Sequence, residues 1–91
     1  MEMPGQGSWT VYVLRSEATG RFYVGHTGDL AQRLDYHNRG LSRWTRGKGP
    51  WTVAYTETFL SRSGAAARER QLKAWKSRKS IEELIRDNER P

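Results

Sequence analysis

Trp9-Thr10-Val11-Tyr12-Val13-Leu14-Arg15-Ser16-Glu17-Ala18-Thr19-Gly20-Arg21-Phe22-Tyr23-Val24-Gly25 holds two apolar runs around one turn. Trp9 to Leu14 is β-branched and aromatic, a composition that suits a pleated strand. Glu17-Ala18-Thr19-Gly20 supplies turn chemistry. Arg21 to Gly25 reads as a second strand, so the two runs form a hairpin. Side chains alternate between the faces of a strand. Tyr12 and Leu14 therefore share one face of the first strand, and Tyr23 and Gly25 share one face of the second.

Downstream of the hairpin, Asp29 is placed to cap a helix, with Gln32 three residues on in capping-box position. Leu30, Leu34, His37 and Leu41 recur at helical spacing and mark its apolar stripe. Gly40 is the expected stop. Residues 39–50 form a loop broken by Gly47, Gly49 and Pro50. Trp51 to Phe59 reads as a third strand, with Trp51, Val53, Tyr55, Glu57 and Phe59 alternating. A helix from about Ser63 to Lys76 is rich in strong helix formers. Ser80 and Glu83 make a second capping box, opening a short helix that carries Ile81, Leu84 and Ile85. The expected fold is α+β, a small three-stranded antiparallel sheet flanked by helices in the order β-β-α-β-α-α. Residues 1–8 read as a flexible leader, 9–86 as one domain and 87–91 as a polar tail.

Ninety-one residues leave room for one modest core. Sixteen Lys and Arg against ten Asp and Glu give a net charge of +6, which favours polyanionic partners. The chain has no cysteine, which excludes disulfides, thiolate catalysis and cysteine-zinc sites. No apolar run is long enough to cross a membrane. The N-terminus lacks a signal-peptide pattern, so a cytoplasmic setting is the default.

Four groups of residues are placed to carry chemistry. His37 lies on the apolar stripe of the first helix, where a leucine would be ordinary, and Arg33 shares its helix face. Singly, they read as a buried core histidine and a surface arginine. Glu69 is the only acidic residue between 58 and 81, amid seven cations. It aligns with Ala65, Ala66 and Leu72 on the inward side of its helix. A carboxylate there needs a positive partner, either a divalent cation or an ion-pairing side chain. The loop residues Arg39, Arg43, Arg46 and Lys48 surround Trp44, with no acidic residue from 36 to 56. Cations bind phosphates and aromatic faces stack unpaired bases. The same loop also reads as a solvated basic segment. Lys73 and Lys76 extend the positive surface. Tyr12 and Tyr23, read alone, are ordinary strand aromatics.

Together these residues resemble the GIY-YIG nuclease superfamily. Thr10-Val11-Tyr12 stands where the first motif falls, with Thr-Val in place of Gly-Ile, and Tyr23-Val24-Gly25 matches the second. The two tyrosines are eleven positions apart, which fits the family hairpin. The run Tyr23 to Leu34 followed by His37-Asn38 is similar to the stretch that bears the family's helical Arg and His. Ala66 to Trp75 is similar to the helix that supplies its metal-binding Glu. The likeness spans about residues 9–86 and is strongest to the short, stand-alone bacterial members. It implies phosphodiester hydrolysis, with DNA as the expected substrate and DNA repair as the expected setting. It also implies one divalent ion, Mg²⁺ or Mn²⁺, at Glu69, and catalytic roles for Tyr12, Tyr23, Arg33 and His37. Tyr12 is the expected general base. Two alternatives remain at this point: a non-catalytic nucleic-acid-binding module, and an accessory subunit that acts with a protein partner, docking through Trp75 or through Ile81, Leu84 and Ile85.

Overall fold

A computed structural model describes residues 8–75 and 77–89. The expected leader and Lys76 therefore lie almost wholly outside the described residues. Hairpin strands β1 (Trp9–Ser16) and β2 (Phe22–Thr27) lead into helix α1 (Leu30–Asn38). Strand β3 (Trp51–Phe59) follows, then α2 (Arg62–Ala74) and α3 (Arg78–Glu89). The order β-β-α-β-α-α is the one expected. All pairing is antiparallel, and β1 is central in the order β2-β1-β3.

The alternation read from the hairpin sorts the core into two layers. Val11 and Val13 of β1 face α2 and α3, packing with Val24, Ala65, Leu72 and Ile81. Tyr12 and Leu14 face the other way and pack with Trp51, Leu30 and Leu34 on the α1 side. Cross-strand register places Tyr12 opposite Gly25 and Leu14 opposite Tyr23. The two same-face pairs read from the sequence are thus neighbours across the hairpin.

Three local readings are corrected. First, β3 does not keep one alternation along its length. Val13 pairs with Tyr55 but Leu14 pairs with Val53, so one extra residue, Ala54, is inserted opposite β1. Such a bulge exchanges the faces. Trp51 serves the α1 layer, whereas Tyr55 and Phe59 serve the α2–α3 layer. Second, Leu41 does not extend the stripe of α1 and is 56% exposed. Gly40, at φ +74°, ends the helix first. Its N–H donates to His37 O, and Leu41 N–H donates to Tyr36 O, the paired bonds of a Schellman stop. Third, α3 starts before Ser80. Ser77 Oγ accepts from Ser80 N–H, as an N-cap does, and the helix continues through Asp87 to Glu89.

The caps of α1 and α2 follow from their residues. Asp29 accepts from Gln32 N–H, and Ser61 accepts from Gly64 N–H. Ile81 is buried, and Leu84 and Ile85 pack on the same core, so their apolar stripe is accounted for within the domain. No helix among the described residues is long and apolar enough to cross a membrane.

Candidate active site

The α1 side of the hairpin brings the predicted aromatic and histidine residues together. Tyr12 is 2% exposed and its hydroxyl lies 3.1 Å from His37 Nε2. His37 Nδ1 lies 2.8 Å from Thr45 Oγ1. When Tyr12 donates to Nε2, Nδ1 carries the proton and donates to Thr45, giving a continuous chain of hydrogen bonds. The Tyr23 ring sits edge-on to His37, with centroids 4.9 Å apart. Helix α1 delivers both His37 and Arg33, one turn apart. Arg33 stays exposed, its guanidinium over the Tyr36 ring.

Burial dominates the protonation of this cluster. It pushes the Tyr12 hydroxyl well above the usual tyrosine value, and neighbouring Tyr23 adds to the rise. The Arg33 charge opposes this shift without cancelling it. Burial, followed by the Arg33 charge, holds His37 below the ordinary histidine value. Desolvation penalises the charged form of each. At neutral pH the pair is therefore a phenol and a neutral imidazole.

Gly25 makes room for this arrangement. A Cβ built on it falls 2.4 Å from Tyr12 Oη and 2.6 Å from Cζ. The tyrosine ring occupies the space that any side chain at position 25 would need.

Glu69 reaches the cluster from α2, past the edge strand β2. Its side chain is 18% exposed, and both oxygens are engaged: Oε1 at 2.6 Å from His26 Nδ1, Oε2 at 2.6 Å from Lys73 Nζ. Burial raises its pKa, but the bonds from Lys73 and His26 outweigh that and hold it below the usual carboxylate value. Glu69 is thus ionised. Its charge acts on Tyr12, and the Lys73 ammonium lies 5.8 Å from the Tyr23 ring centre. Tyr12, Tyr23, His37, Arg33 and Glu69 therefore form one neighbourhood, with Lys73 between the two faces.

Two members escape a reading of the sequence as a line. Thr45 sits in an irregular loop with no periodic signal, yet it is 1% exposed and fixes the His37 ring. His26 was legible in principle. It follows Gly25, so the period of two turns it away from Tyr23 and towards the helix face that carries Glu69.

The basic loop divides. Trp51 is 3% exposed and donates its Nε1–H to Thr45 O. Asn38 grips both backbone groups of Trp51, which fixes the end of the loop beside α1. Trp44 is 66% exposed, with the Arg43 guanidinium 5.5 Å from its ring centre. Arg39, Arg46 and Lys48 are also exposed. At the C-cap of α2, Trp75 is exposed, with the Arg68 guanidinium 5.6 Å from its ring centre.

The description of the GIY-YIG catalytic domain matches residues 8–82. The chain belongs to the GIY-YIG family. It is 41% identical over 64 residues to a UPF0213 protein of Halobacterium salinarum, covering 69% of this chain and 82% of that one. A UPF0213 protein of Bacillus pumilus is 38% identical over 77 residues, covering 80% and 78%. The solution structure of a UPF0213 protein from Bacillus halodurans aligns with a TM-score of 0.54 and 33% identity, covering 86% of this chain and 82% of that one. In this GIY-YIG domain the two halves of the motif are cross-strand partners: Tyr12 of the first faces Gly25 of the second. The replacement of Gly-Ile by Thr10-Val11 is conservative for the fold. Val11 packs in the α2–α3 layer and Thr10 pairs regularly with Thr27 and Thr58.

Proposed function

We propose that this GIY-YIG domain hydrolyses nucleic-acid phosphodiester bonds, with DNA as substrate and one divalent ion, Mg²⁺ or Mn²⁺, held at Glu69. The observation that carries the reading is the buried Tyr12–His37–Thr45 chain lying beside Arg33 and the ionised Glu69. A fold alone needs no such alignment of a phenol, a neutral imidazole and a carboxylate.

Glu69 fits a hard divalent cation. It is ionised and partly exposed, and magnesium accepts one protein carboxylate with waters and substrate phosphate completing its shell. In this reading Glu69 would be the single protein carboxylate that holds the ion. Lys73 is half-exposed and is the Glu69 partner able to swing onto a phosphate. When bound, the ion supplies positive charge to the phosphoryl oxygens. Arg33 offsets charge developing on the same oxygens.

The protonation of Tyr12 sharpens its role. A phenol raised by burial is not a standing base, so we assign a relay. Tyr12 accepts a proton from the attacking water as it passes its own to His37 Nε2, and Thr45 steadies the imidazolium that results. Tyr23 packs His37 from the side and lines the approach to the phosphate. Arg39, Arg43, Trp44, Arg46 and Lys48 carry the flanking nucleic acid, the Arg43–Trp44 pair offering an exposed stacking platform. Lys73 continues the basic surface in this reading, and Lys76, outside the described residues, is assigned to nucleic-acid contact from the sequence alone. A DNA substrate would place the protein at the nucleoid.

Purified protein with single-stranded or branched DNA is expected to cleave in Mg²⁺ or Mn²⁺ and to stop in EDTA. Arg33→Ala is expected to slow cleavage by about 10²–10³-fold, as for removal of one preorganised charge-stabilising group, and Glu69→Ala to abolish the metal-dependent cleavage. Cleavage unchanged in both variants sinks the assignment. Salt-sensitive binding with no cleavage in any metal would favour the non-catalytic binding module, for which the exposed Arg43–Trp44 pair suffices.

A pH profile gives an independent check. His37 must be neutral to accept the proton, and its pKa lies below the ordinary value of about 6.5. Activity should hold to just below that pH and then fall on the acid side. Stability should move in the same direction. The unfolded chain takes up the proton first, so stability is lost as pH drops below about 6.5. Thermal unfolding between pH 5 and 7.5 reads this directly, and His37→Gln should flatten it.

A further inference from the structure

A cavity of about 410 Å³ opens between the edge strand β2 and the corner where α2 meets α3. Its floor is apolar, made by Phe22, Val24, Leu72 and Ile81, and every charged side chain lining it is cationic: Arg21, Lys73 and Arg78. It adjoins the candidate active site, because Tyr23 and Lys73 belong to both. Arg78 is held in place on its rim. Its guanidinium lies 4.9 Å from the Phe22 ring centre, Nη1 donates to Gly20 O at 2.7 Å, and Nε donates to Glu82. The side chain still keeps 52% of its surface exposed.

We propose that this cavity binds an unpaired nucleobase of the strand whose phosphate lies at Tyr12, Tyr23 and Arg33. Flat apolar walls take the faces of a base, a guanidinium plane stacks on it, and cations on the rim meet the phosphates on either side. Size alone would admit other ligands. The rim cations, two of which are ion-paired to Glu69 and Glu82, are continuous with the proposed phosphate-cleaving centre and favour a nucleotide over a cationic molecule. A base held in a duplex cannot enter, so the domain should favour single-stranded, flap or frayed positions beside the scissile phosphate.

This inference rests on the proposed nucleic-acid activity, and a binding experiment in EDTA separates the two. The probes are pentathymidylate and a chain of the same length in which abasic units replace the thymidines. Methyl NMR of the full-length protein follows Val24, Leu72 and Ile81, and fluorescence anisotropy reads affinity. The expected result is that pentathymidylate shifts all three methyl groups and binds about tenfold more tightly than the abasic chain, the usual scale for one stacked base. Arg78→Ala, a substitution at a half-exposed side chain, should remove most of that tenfold preference, while the loss of one rim cation weakens both chains by the same small factor.

Equal affinity for both chains, with shifts confined to the Arg43–Trp44 loop, overturns the cavity and leaves the nucleic-acid reading standing. Failure of both chains to bind overturns both. Methyl shifts from an acidic peptide such as hexaglutamate, with none from pentathymidylate, assign the cavity to a protein partner and overturn the base-binding proposal.

Discussion

Tyr12→Phe is expected to lower phosphodiester cleavage by about 10²–10⁴-fold, the range for losing one general acid–base group, with the domain still folded. The substitution removes one oxygen and keeps the ring that packs with Leu14 and Trp51. The structural cost is modest. His37 Nε2 loses its partner, which costs about 1–3 kcal/mol for a buried acceptor left unpaired, while Nδ1 keeps its bond to Thr45. The functional cost is large, because in the proposed relay the Tyr12 oxygen is the atom that passes the proton to His37 Nε2. The check is a single-turnover rate at saturating metal, together with a melting curve. A Tyr12→Phe protein that melts within a few degrees of the original and cleaves as fast would remove Tyr12 from the chemistry. The pH profile adds a second reading: without the phenol, the acid limb assigned to His37 should disappear from whatever activity remains.

Gly25→Ala is the second large effect, and it acts on stability and activity together. In an ordinary strand the change would be favourable by roughly 0.5–1 kcal/mol, because glycine loses more backbone freedom on folding. Here the added methyl meets Tyr12 Oη at 2.4 Å and Cζ at 2.6 Å, and the ring it meets is buried. Relief by the far end of a flexible side chain is not available, since the ring moves as one plane. Overpacking of this kind costs about 1–3 kcal/mol and outweighs the backbone gain. For a domain of this size each kcal/mol lowers Tm by roughly 4–8 °C. A displaced ring also breaks the 3.1 Å contact to His37, so cleavage should fall towards the Tyr12→Phe level. The two positions must be coupled. In a Tyr12→Ala background, Gly25→Ala should lose most of its penalty, and additive effects in that cycle would show that the clash is relieved elsewhere.

These two residues also show how far the linear chain can be read. Alternation of strand side chains was enough to pair Tyr12 with Leu14 and Tyr23 with Gly25, and the register of the folded hairpin then set the two pairs side by side. Helical spacing was enough to turn Glu69 inward and to set Arg33 beside His37. Asp29 was legible as a cap and Gly40 as a stop, since both act through bonds within a few residues. Local rules failed where distant contacts decide. The face exchange in β3 depends on an extra residue opposite β1, which nothing in Trp51 to Phe59 announces. The capping-box pattern pointed to Ser80 as the start of α3, whereas the folded chain starts the helix at Arg78 and uses Ser77 as the accepting cap. Leu41 fitted the helical period but lay beyond the turn made by Gly40.

The sequence by itself determined the element order, the +6 charge and the family, because these rest on composition, short-range periodicity and motif spacing. The tertiary structure alone decided the protonation of the site and its supporting partners. Burial depends on every element packed around a group, so the buried phenol of Tyr12 and the neutral imidazole of His37 could not be read from their neighbours in the chain. Thr45 and His26 are bonded across eight and forty-three positions, to His37 and Glu69 respectively. Contacts at such separations are set by how the layers close on one another, and only the folded chain contains that information.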